Sequence, residues 1–250
     1  MNPIQLMKIN ETNMTKSEIK IMEYVIENLE NIANASILNI SDKIPTSKSA
    51  LMRFCQKIGY SGFSEFKYDV SHYLSIRAQN HMSKGKETIA AIYSDTIKDL
   101  DVYLHEEILN QFKQLIETSN KVKIFGVAET GLTAQFFSFR MIDNGFDIEA
   151  VTNIQFFKSK VVAASKQDLN IFLSLSGNTE AIKNAMELSV ELGIPTVLIT
   201  QNDRHMLKDQ IECFVLLPFF KSQDTNLILD SQVVLHGFAG VVLNYLLGNN

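Results

Sequence analysis

The sequence predicts two domains of different fold class, an all-α domain followed by an α/β three-layer domain with a mostly parallel five-stranded sheet. Three observations carry this prediction. The chain has 250 residues, which leaves room for two small domains. The first 80 residues place apolar side chains at helical spacing only. From Lys121 onward, short β-rich runs alternate with helical stretches, which is typical of βαβ units.

The predicted boundaries follow the change of pattern. We expect an N-terminal domain over 1–80, a linker with a connecting helix over 81–106, and a C-terminal domain over 107–250. The stretch 82–87 has no apolar periodicity and contains a glycine, so we interpret it as a hinge around 83–87. The connecting helix is predicted from the spacing of Ile89, Ile92, Ile97, Leu100 and Leu104.

Composition excludes several classes of protein. Apolar residues make up 46% of the chain and charged residues 20%, which is ordinary for a globular protein and not for a disordered or fibrous one. The net charge of −5 argues against a protein that coats nucleic acid over its whole surface. Two cysteines and five histidines show no metal-binding spacing, so no metal and no cofactor are predicted.

No membrane segment or secretory signal is expected. The first 14 residues lack an apolar core, and the longest apolar stretch, 233–247, is interrupted by polar and glycine residues. We interpret that stretch as a helix of the core or of a subunit interface, and His236 within it as a core residue. A reduced, cytoplasmic protein with no membrane partner follows as an expectation.

Capping residues define the helices of the first domain. Thr15 and Glu18 predict a capping box, Ser36 a cap for a short helix over 37–43, and Ser47 a cap for a third helix that ends at Gly59. A fourth helix is predicted from about residue 62. The side chains predicted to face inward are Ile19, Met22, Ile26 and Leu29 in the first helix, Leu51, Phe54, Cys55 and Ile58 in the third, and Phe63, Phe66, Val70 and Leu74 in the fourth.

A short helix, a tight turn and a third helix with one apolar and one polar face predict a helix-turn-helix that reads DNA in the major groove. Residues 41–80 hold six Lys or Arg against three acids, a local charge of +3. A solvated helix face explains the same pattern, and spacing alone leaves both interpretations open. The predicted DNA-binding residues are Ser47, Lys48, Ser49, Met52, Arg53 and Lys57.

The run Ser47-Lys-Ser-Ala-Leu-Met-Arg-Phe-Cys-Gln-Lys-Ile-Gly-Tyr-Ser-Gly-Phe-Ser-Glu-Phe-Lys67 resembles the N-terminal domain of RpiR-type bacterial transcription regulators. The resemblance covers about residues 1–77 and implies operator DNA as a partner. Ala50 stands where that family usually has Thr, which removes a hydroxyl that could touch DNA. Ser41 and Thr46 replace the usual Ala and Val and are expected to be tolerated in packing.

The second domain alternates strands and helices in order. The predicted strands cover 122–127, 147–151, 169–174, 196–200 and 211–217, and the predicted helical segments cover 130–144, 155–164, 179–192, 204–208 and 230–247. In such a sheet, ligands bind beyond the carboxyl ends of the strands.

A Ser-rich loop follows the third predicted strand and precedes a helix. Its N–H groups and the positive end of the helix dipole suit an anion such as phosphate. A plain turn with an N-cap explains the same residues about as well. The predicted ligand-binding residues of this loop are Ser174, Ser176, Gly177, Asn178 and Thr179.

The stretch Ser174-Leu-Ser-Gly-Asn-Thr-Glu180, with its flanking strands, resembles a sugar isomerase (SIS) domain, which RpiR-type regulators carry after their DNA-binding domain. The resemblance implies that the loop holds the phosphate of a phosphosugar. The family usually has Gly-x-Gly-x-Ser after its first strand, where this chain has Gly126-Val-Ala-Glu-Thr130. Glu129 and Thr130 are therefore added as ligand-binding candidates.

The leading hypothesis is a DNA-binding transcription regulator of sugar metabolism whose SIS domain senses a phosphorylated sugar, without catalytic residues. One alternative is a phosphosugar isomerase with a base among Glu129, Glu180, His205 and His236, which no spacing ties together. Another is a regulator whose SIS domain only dimerises. Dinucleotide binding is disfavoured because the motif Gly-x-Gly-x-x-Gly is missing after the first predicted strand. Helix-turn-helix readers pair on two half-sites, so a homodimer or a dimer of dimers is expected.

Overall fold

The computed structural model describes residues 2–44, 46–80, 88–222, 227 and 229–248, with side chains given except at 76–80. The predicted hinge at 83–87 lies outside the described residues. The chain divides into two compact units, Met1–Glu87 and Thr88–Asn250. No described helix is long and apolar enough to cross a membrane.

The first unit consists of helices: α1 (Pro3–Asn10), α2 (Lys16–Glu27), α3 (Leu29–Asn34), α4 (Ile37–Lys43), α5 (Lys48–Lys57) and α6 (Phe63–Asn80). Thr15, Ser36 and Ser47 cap α2, α4 and α5 as predicted, each through a hydrogen bond from a backbone N–H three residues on. Helix α1, which starts with a capping box between Asn2 and Gln5, was not predicted.

The buried face of α2 differs from the predicted one. Ile21, Met22 and Val25 are buried, whereas Ile19 and Ile26 are only half-buried. The helix has two neighbouring apolar stripes, and periodicity alone does not decide which one faces the core. The inward positions predicted for α5 are all fully buried, because Leu51, Phe54, Cys55 and Ile58 are 0% exposed.

The second unit is a three-layer α/β domain. Its helices are α7 (Ile89–Tyr103), α8 (Glu106–Thr118), α9 (Glu129–Ile142), α10 (Phe157–Val162), α11 (Glu180–Glu191) and α12 (Gln232–Leu246). Its strands are β1 (Val122–Phe125), β2 (Ile148–Val151), β3 (Leu169–Leu173), β4 (Thr196–Thr200) and β5 (Cys213–Leu216), which pair in parallel in the order β2-β1-β3-β4-β5.

Helices cover both faces of this sheet. Residues of α7, α8, α9 and α12 form one core with the strands, and residues of α10 and α11 form another. Helix α8 was not predicted, although Leu109, Phe112 and Ile116 give it a buried stripe. The short helical segment predicted over 204–208 is instead a single turn at Lys208–Gln210.

The outer helices α7 and α12 confirm one prediction, the connecting helix, and correct another, the burial of His236. The connecting helix α7 packs against α12, where a Cβ on Gly237 would come within 2.8 Å of the methyl groups of Ile97 and Leu100. The prediction that His236 is a core residue is wrong, because its side chain is exposed on α12 and its ring lies 4.6 Å from that of Phe136. Only one stripe of α12 faces the core, and residue 236 lies outside it.

Candidate functional site

The outer face of α5 presents most of the predicted DNA-binding side chains to solvent. Ser47, Lys48, Ser49 and Arg53 are exposed. The Ser47 hydroxyl accepts the N–H of Ala50 at 3.1 Å, so it caps the helix. Met52 is half-buried and packs over Gly62, where a Cβ would lie 2.9 Å from its sulfur.

Lys57 differs from the other basic residues of this helix. Its Nζ lies 2.7 Å from a carboxylate oxygen of Glu18 on α2, and the two side chains are 32% and 19% exposed. Burial, the largest influence, acts to raise the pKa of Glu18, but hydrogen bonds from Lys57 and Thr15 outweigh it and hold the pKa below 4.5. Lys57 thus ties α5 to α2, which competes with its predicted contact to DNA.

The loop between β3 and α11 (174–179) follows the carboxyl end of β3, and we call it the serine loop. Ser174 and Ser176 are 3% and 4% exposed. Their hydroxyls accept the N–H groups of Gly177 and Asn178, both at 3.1 Å. These bonds give the loop its shape. The Asn178 N–H, predicted to bind phosphate, is therefore already bonded inside the loop.

The first turn of α11 has no side-chain cap. Thr179 stands at the N-cap position, and its side chain makes no capping hydrogen bond. The N–H groups of the first turn of α11 therefore lie at the same edge of the sheet as the serine loop, and the Thr179 side chain does not accept a hydrogen bond from any of them. An uncapped helix start beside a loop of hydroxyls is a suitable place for an anion.

Two residues after β4 hold the serine loop. Asn202 was not predicted as a site residue, and His205 was named only as a candidate base of an isomerase. The Asn202 amide donates to the carbonyl of Ser176 at 2.9 Å. The His205 Nε2 lies 3.1 Å from the carbonyl of Gly177. A Cβ on Gly177, whose φ is +68°, would come within 2.5 Å of the His205 ring. Such long-range contacts leave no local signal in the sequence.

His205 is neutral and its tautomer is fixed by its neighbours. Its Nδ1 accepts the N–H of Leu207 at 3.2 Å, so Nε2 carries the proton that is donated to Gly177. The side chain is 5% exposed. Burial is the main cause that lowers the pKa of His205 below 6.5, and the positive charge of Lys183 lowers it further.

The loop between β1 and α9 completes the same edge of the sheet. The Thr130 hydroxyl accepts the N–H of Val127 at 3.1 Å and donates to its carbonyl at 2.9 Å, so it shapes the loop. Ala128 has φ +51° and ψ −119°, a backbone conformation that favours glycine. Glu129 is exposed at the first position of α9. A Cβ on Gly126 would come within 2.5 Å of the Thr130 carbonyl oxygen.

Neither histidine among the candidate bases for an isomerase is a free base at the carboxyl edge of the sheet. Both ring nitrogens of His205 are engaged by backbone groups, and His236 lies exposed on α12 with its Nδ1 2.8 Å from the Gln232 carbonyl. In the part of the chain that the structure describes, no three His, Cys, Asp or Glu side chains are grouped to hold a metal ion.

The fold and these two sites define a class of protein, a helix-turn-helix domain followed by a three-layer α/β domain with a parallel five-stranded sheet. Residues 1–77 match the family model for the helix-turn-helix domain of the rpiR family. The N-terminal unit is thus a helix-turn-helix domain of the rpiR family, as the residue pattern implied.

Relatives and solved structures agree with this organisation. An HTH-type transcriptional regulator of Haemophilus influenzae is 26% identical over 209 residues, covering 77% of this chain and 71% of that protein. The Vibrio vulnificus NanR protein, solved in complex with ManNAc-6P, is 19% identical with a TM-score of 0.60 and covers 98% of this chain and 92% of its own.

The sugar isomerase domain of an RpiR transcription factor from Sphaerobacter thermophilus is 15% identical with a TM-score of 0.54, covering 66% of this chain and 92% of that one. At these identities the two solved structures establish the fold of the chain. They confirm the predicted all-α domain followed by an SIS-like domain with a parallel five-stranded sheet.

Proposed function

We propose that this protein is a transcription regulator that binds operator DNA through α5 and senses a phosphorylated sugar at the serine loop. The match of residues 1–77 to the rpiR helix-turn-helix family carries the first part of the proposal. The exposed side chains of Lys48 and Arg53 on α5 support it, since both types of side chain bind phosphates and guanine edges.

The DNA part is tested by operator selection from random duplexes, followed by titration of variants at fixed salt. Lys48→Ala and Arg53→Ala should weaken binding without unfolding the domain. Loss of a bidentate base contact weakens the free energy of DNA binding by about 1–3 kcal/mol. Loss of a phosphate contact instead reduces, by about one, the slope of log binding constant against log salt concentration. Lys20→Ala, an exposed position on α2, is the matched control. Wild-type affinity in both α5 variants would exclude α5 as the reading helix.

The sensing part is supported by the uncapped start of α11 beside the hydroxyls of the serine loop. A phosphate there would meet helix N–H groups together with the side chains of Ser174, Ser176 and Thr179. The NanR structure contains ManNAc-6P, a sugar phosphate, which favours this ligand class for a chain of the same fold. Thr130 and Glu129 would stand next to the sugar, on the loop that follows β1.

Calorimetry with a panel of sugar phosphates tests the sensing part. Hydrogen bonds to a charged group contribute roughly 1.5–3 kcal/mol each, so Ser176→Ala should weaken binding about tenfold to a hundredfold. Ser159→Ala, exposed on α10, is the matched control. Equal affinity of wild type and Ser176→Ala would place the phosphate elsewhere. If no sugar phosphate binds the wild type, the SIS-like domain serves only for dimerisation.

A phosphosugar isomerase is the second candidate because the α/β domain has a sugar isomerase fold. An isomerase needs a base positioned next to a carbonyl. The backbone bonds at both nitrogens of His205 and the exposure of His236 disfavour either residue as that base. Incubation of the purified protein with the same panel, followed by NMR, should show no interconversion of aldose and ketose phosphates.

The regulator is proposed to act as a homodimer. The helix predicted as core or interface, α12, buries Val234, Phe238 and five other residues within its own domain. Four large apolar residues are exposed along α9 instead: Leu132, Phe136, Phe139 and Ile142 are 67%, 40%, 67% and 51% exposed. We call them the α9 stripe. A stripe of this kind suits a second copy of the chain, which a two-half-site operator also demands.

A further inference from the structure

Two glutamine side chains of the second unit make only part of their hydrogen bonds: Gln201 is buried, and Gln232 is half-buried with a buried amide nitrogen. Gln201 is 0% exposed, and its Nε2 donates to the carbonyl of Pro218 at 2.6 Å. Its Oε1 has no hydrogen-bond partner among the residues described. Gln232 accepts the hydroxyl proton of Thr133 through Oε1, while its buried Nε2 has no partner in the described ranges. Buried polar groups in native proteins are usually paired, so both atoms need an explanation.

Both amides belong to the carboxyl edge of the sheet. Gln201 directly follows β4, and its backbone N–H donates to the carbonyl of Leu175 in the serine loop at 3.0 Å. Gln232 begins α12 and contacts α9, the helix that follows β1, at Thr133. Strands β1 and β4 flank β3 on its two sides. The strand order therefore places one amide on each side of the serine loop.

The unpaired atoms differ in the partner that they require. Gln201 Oε1 accepts, so it needs a ligand group that carries a proton, which a fully ionised phosphate lacks. Gln232 Nε2 donates, so it needs an acceptor. If the Gln232 amide is flipped, Nε2 bonds to Thr133 and Oε1 becomes the atom without a partner. One amide atom is therefore unsatisfied in either orientation. Hydroxyl groups satisfy every case because they donate and accept at once.

We propose that Gln201 and Gln232 bind hydroxyl groups of the sugar, while the serine loop binds its phosphate. This assignment rests on the proposed sensing function and adds to it the residues that recognise the sugar itself. Thr133 acts as a positioning residue, because its hydroxyl orients the Gln232 amide. A ligand without hydroxyl groups, such as inorganic phosphate, bonds to the loop alone.

The test measures two ligand classes on one variant. Gln232→Met keeps the length of the side chain and removes the amide. It should weaken the best-binding sugar phosphate of an aldose, ketose and N-acetylamino-sugar phosphate panel about tenfold, and leave the Kd of inorganic phosphate unchanged. The melting temperature without ligand checks that the variant folds, because Gln232→Met removes the hydrogen bond with Thr133 together with the unpaired Nε2. Gln135→Met, exposed on α9, is the matched control and should bind both ligands like wild type.

Thr133→Val keeps the shape of the side chain and provides a second variant if Gln232→Met does not fold. It should weaken sugar-phosphate binding in the same direction, again without effect on inorganic phosphate. Wild-type affinity for the sugar phosphate in the folded variants, or an equal loss for inorganic phosphate, would overturn the assignment while leaving the proposed function intact. If the wild-type protein binds no sugar phosphate at all, both proposals fail.

Discussion

At the residue scale, Ala128 stores backbone strain next to the proposed ligand site. Its φ of +51° with ψ of −119° belongs to a region that glycine adopts freely and alanine does not. Backbone strain of this kind destabilises the folded state by on the order of 1–3 kcal/mol. A glycine removes the strain but also increases the conformational entropy of the unfolded chain, which offsets part of the stabilisation.

We predict that Ala128→Gly raises the free energy of unfolding of the second unit by about 1 kcal/mol, measured by urea denaturation. Ala181→Gly in the first turn of α11 is the control and should lower it by about 0.5–1 kcal/mol, since no positive φ is relieved there. A loss of stability in Ala128→Gly would mean that the turn tolerates alanine without strain.

His205 is a second residue with a testable consequence. Its folded-state pKa is lowered mainly by burial, so the unfolded chain binds more protons near pH 6 than the native protein does. The contribution of neutral His205 to the free energy of unfolding is therefore present above pH 6.5, and it is lost progressively as the pH falls below 6.5. Protonation also removes the acceptor for the Leu207 N–H and so loosens the support of the serine loop.

We predict that wild-type stability falls more steeply between pH 7.5 and pH 5.5 than that of His205→Gln, which keeps an N–H donor for the Gly177 carbonyl but does not titrate. Urea midpoints at a series of pH values provide the comparison. Parallel pH profiles for the two proteins would show that another group governs acid sensitivity.

At the element scale, sequence signals were reliable where an element is defined locally. The caps of α4 and α5 and the buried stripe of α5 depend on residues three or four positions apart, and they were predicted at the right positions. The bond between Lys57 and Glu18 joins residues 39 positions apart, and the support of the serine loop joins residues 26 and 28 apart. Only the folded chain brings those groups together.

Lys57 should therefore behave differently from its neighbours on α5. We predict that Lys57→Met lowers the free energy of unfolding of the first unit by about 1 kcal/mol, because the pair with Glu18 is partly shielded from water. Its affinity for operator DNA, measured on the folded protein, should change less than that of Arg53→Ala. A double-mutant cycle with Glu18→Gln isolates the coupling, which should shrink below pH 4.5 as Glu18 takes up a proton. A coupling of zero would show that the ion pair does not stabilise the domain.

At the scale of the whole molecule, the α9 stripe is the proposed interface of the homodimer. Phe139→Glu places a charge in the middle of four exposed apolar side chains and should dissociate the dimer at micromolar concentration. Light scattering should then give 28.2 kDa, the mass of one chain, in place of twice that value. Tyr68→Glu, an equally exposed aromatic position on α6, is the control and should leave the dimer intact. A dimer that survives Phe139→Glu would have its interface elsewhere.

Among the residues that the structure describes, the buried apolar side chains of the first unit form one cluster and those of the second unit form two others. We therefore expect the two units to melt in separate transitions, with two peaks in the heat capacity trace. Each peak becomes a reporter for one ligand, because a ligand raises the transition of the unit that binds it by RT ln(1 + [L]/Kd). Operator DNA should move one peak and a sugar phosphate the other. A sugar phosphate that also shifts the melting temperature of the DNA-binding unit reveals a coupling free energy between sugar-phosphate binding and DNA binding.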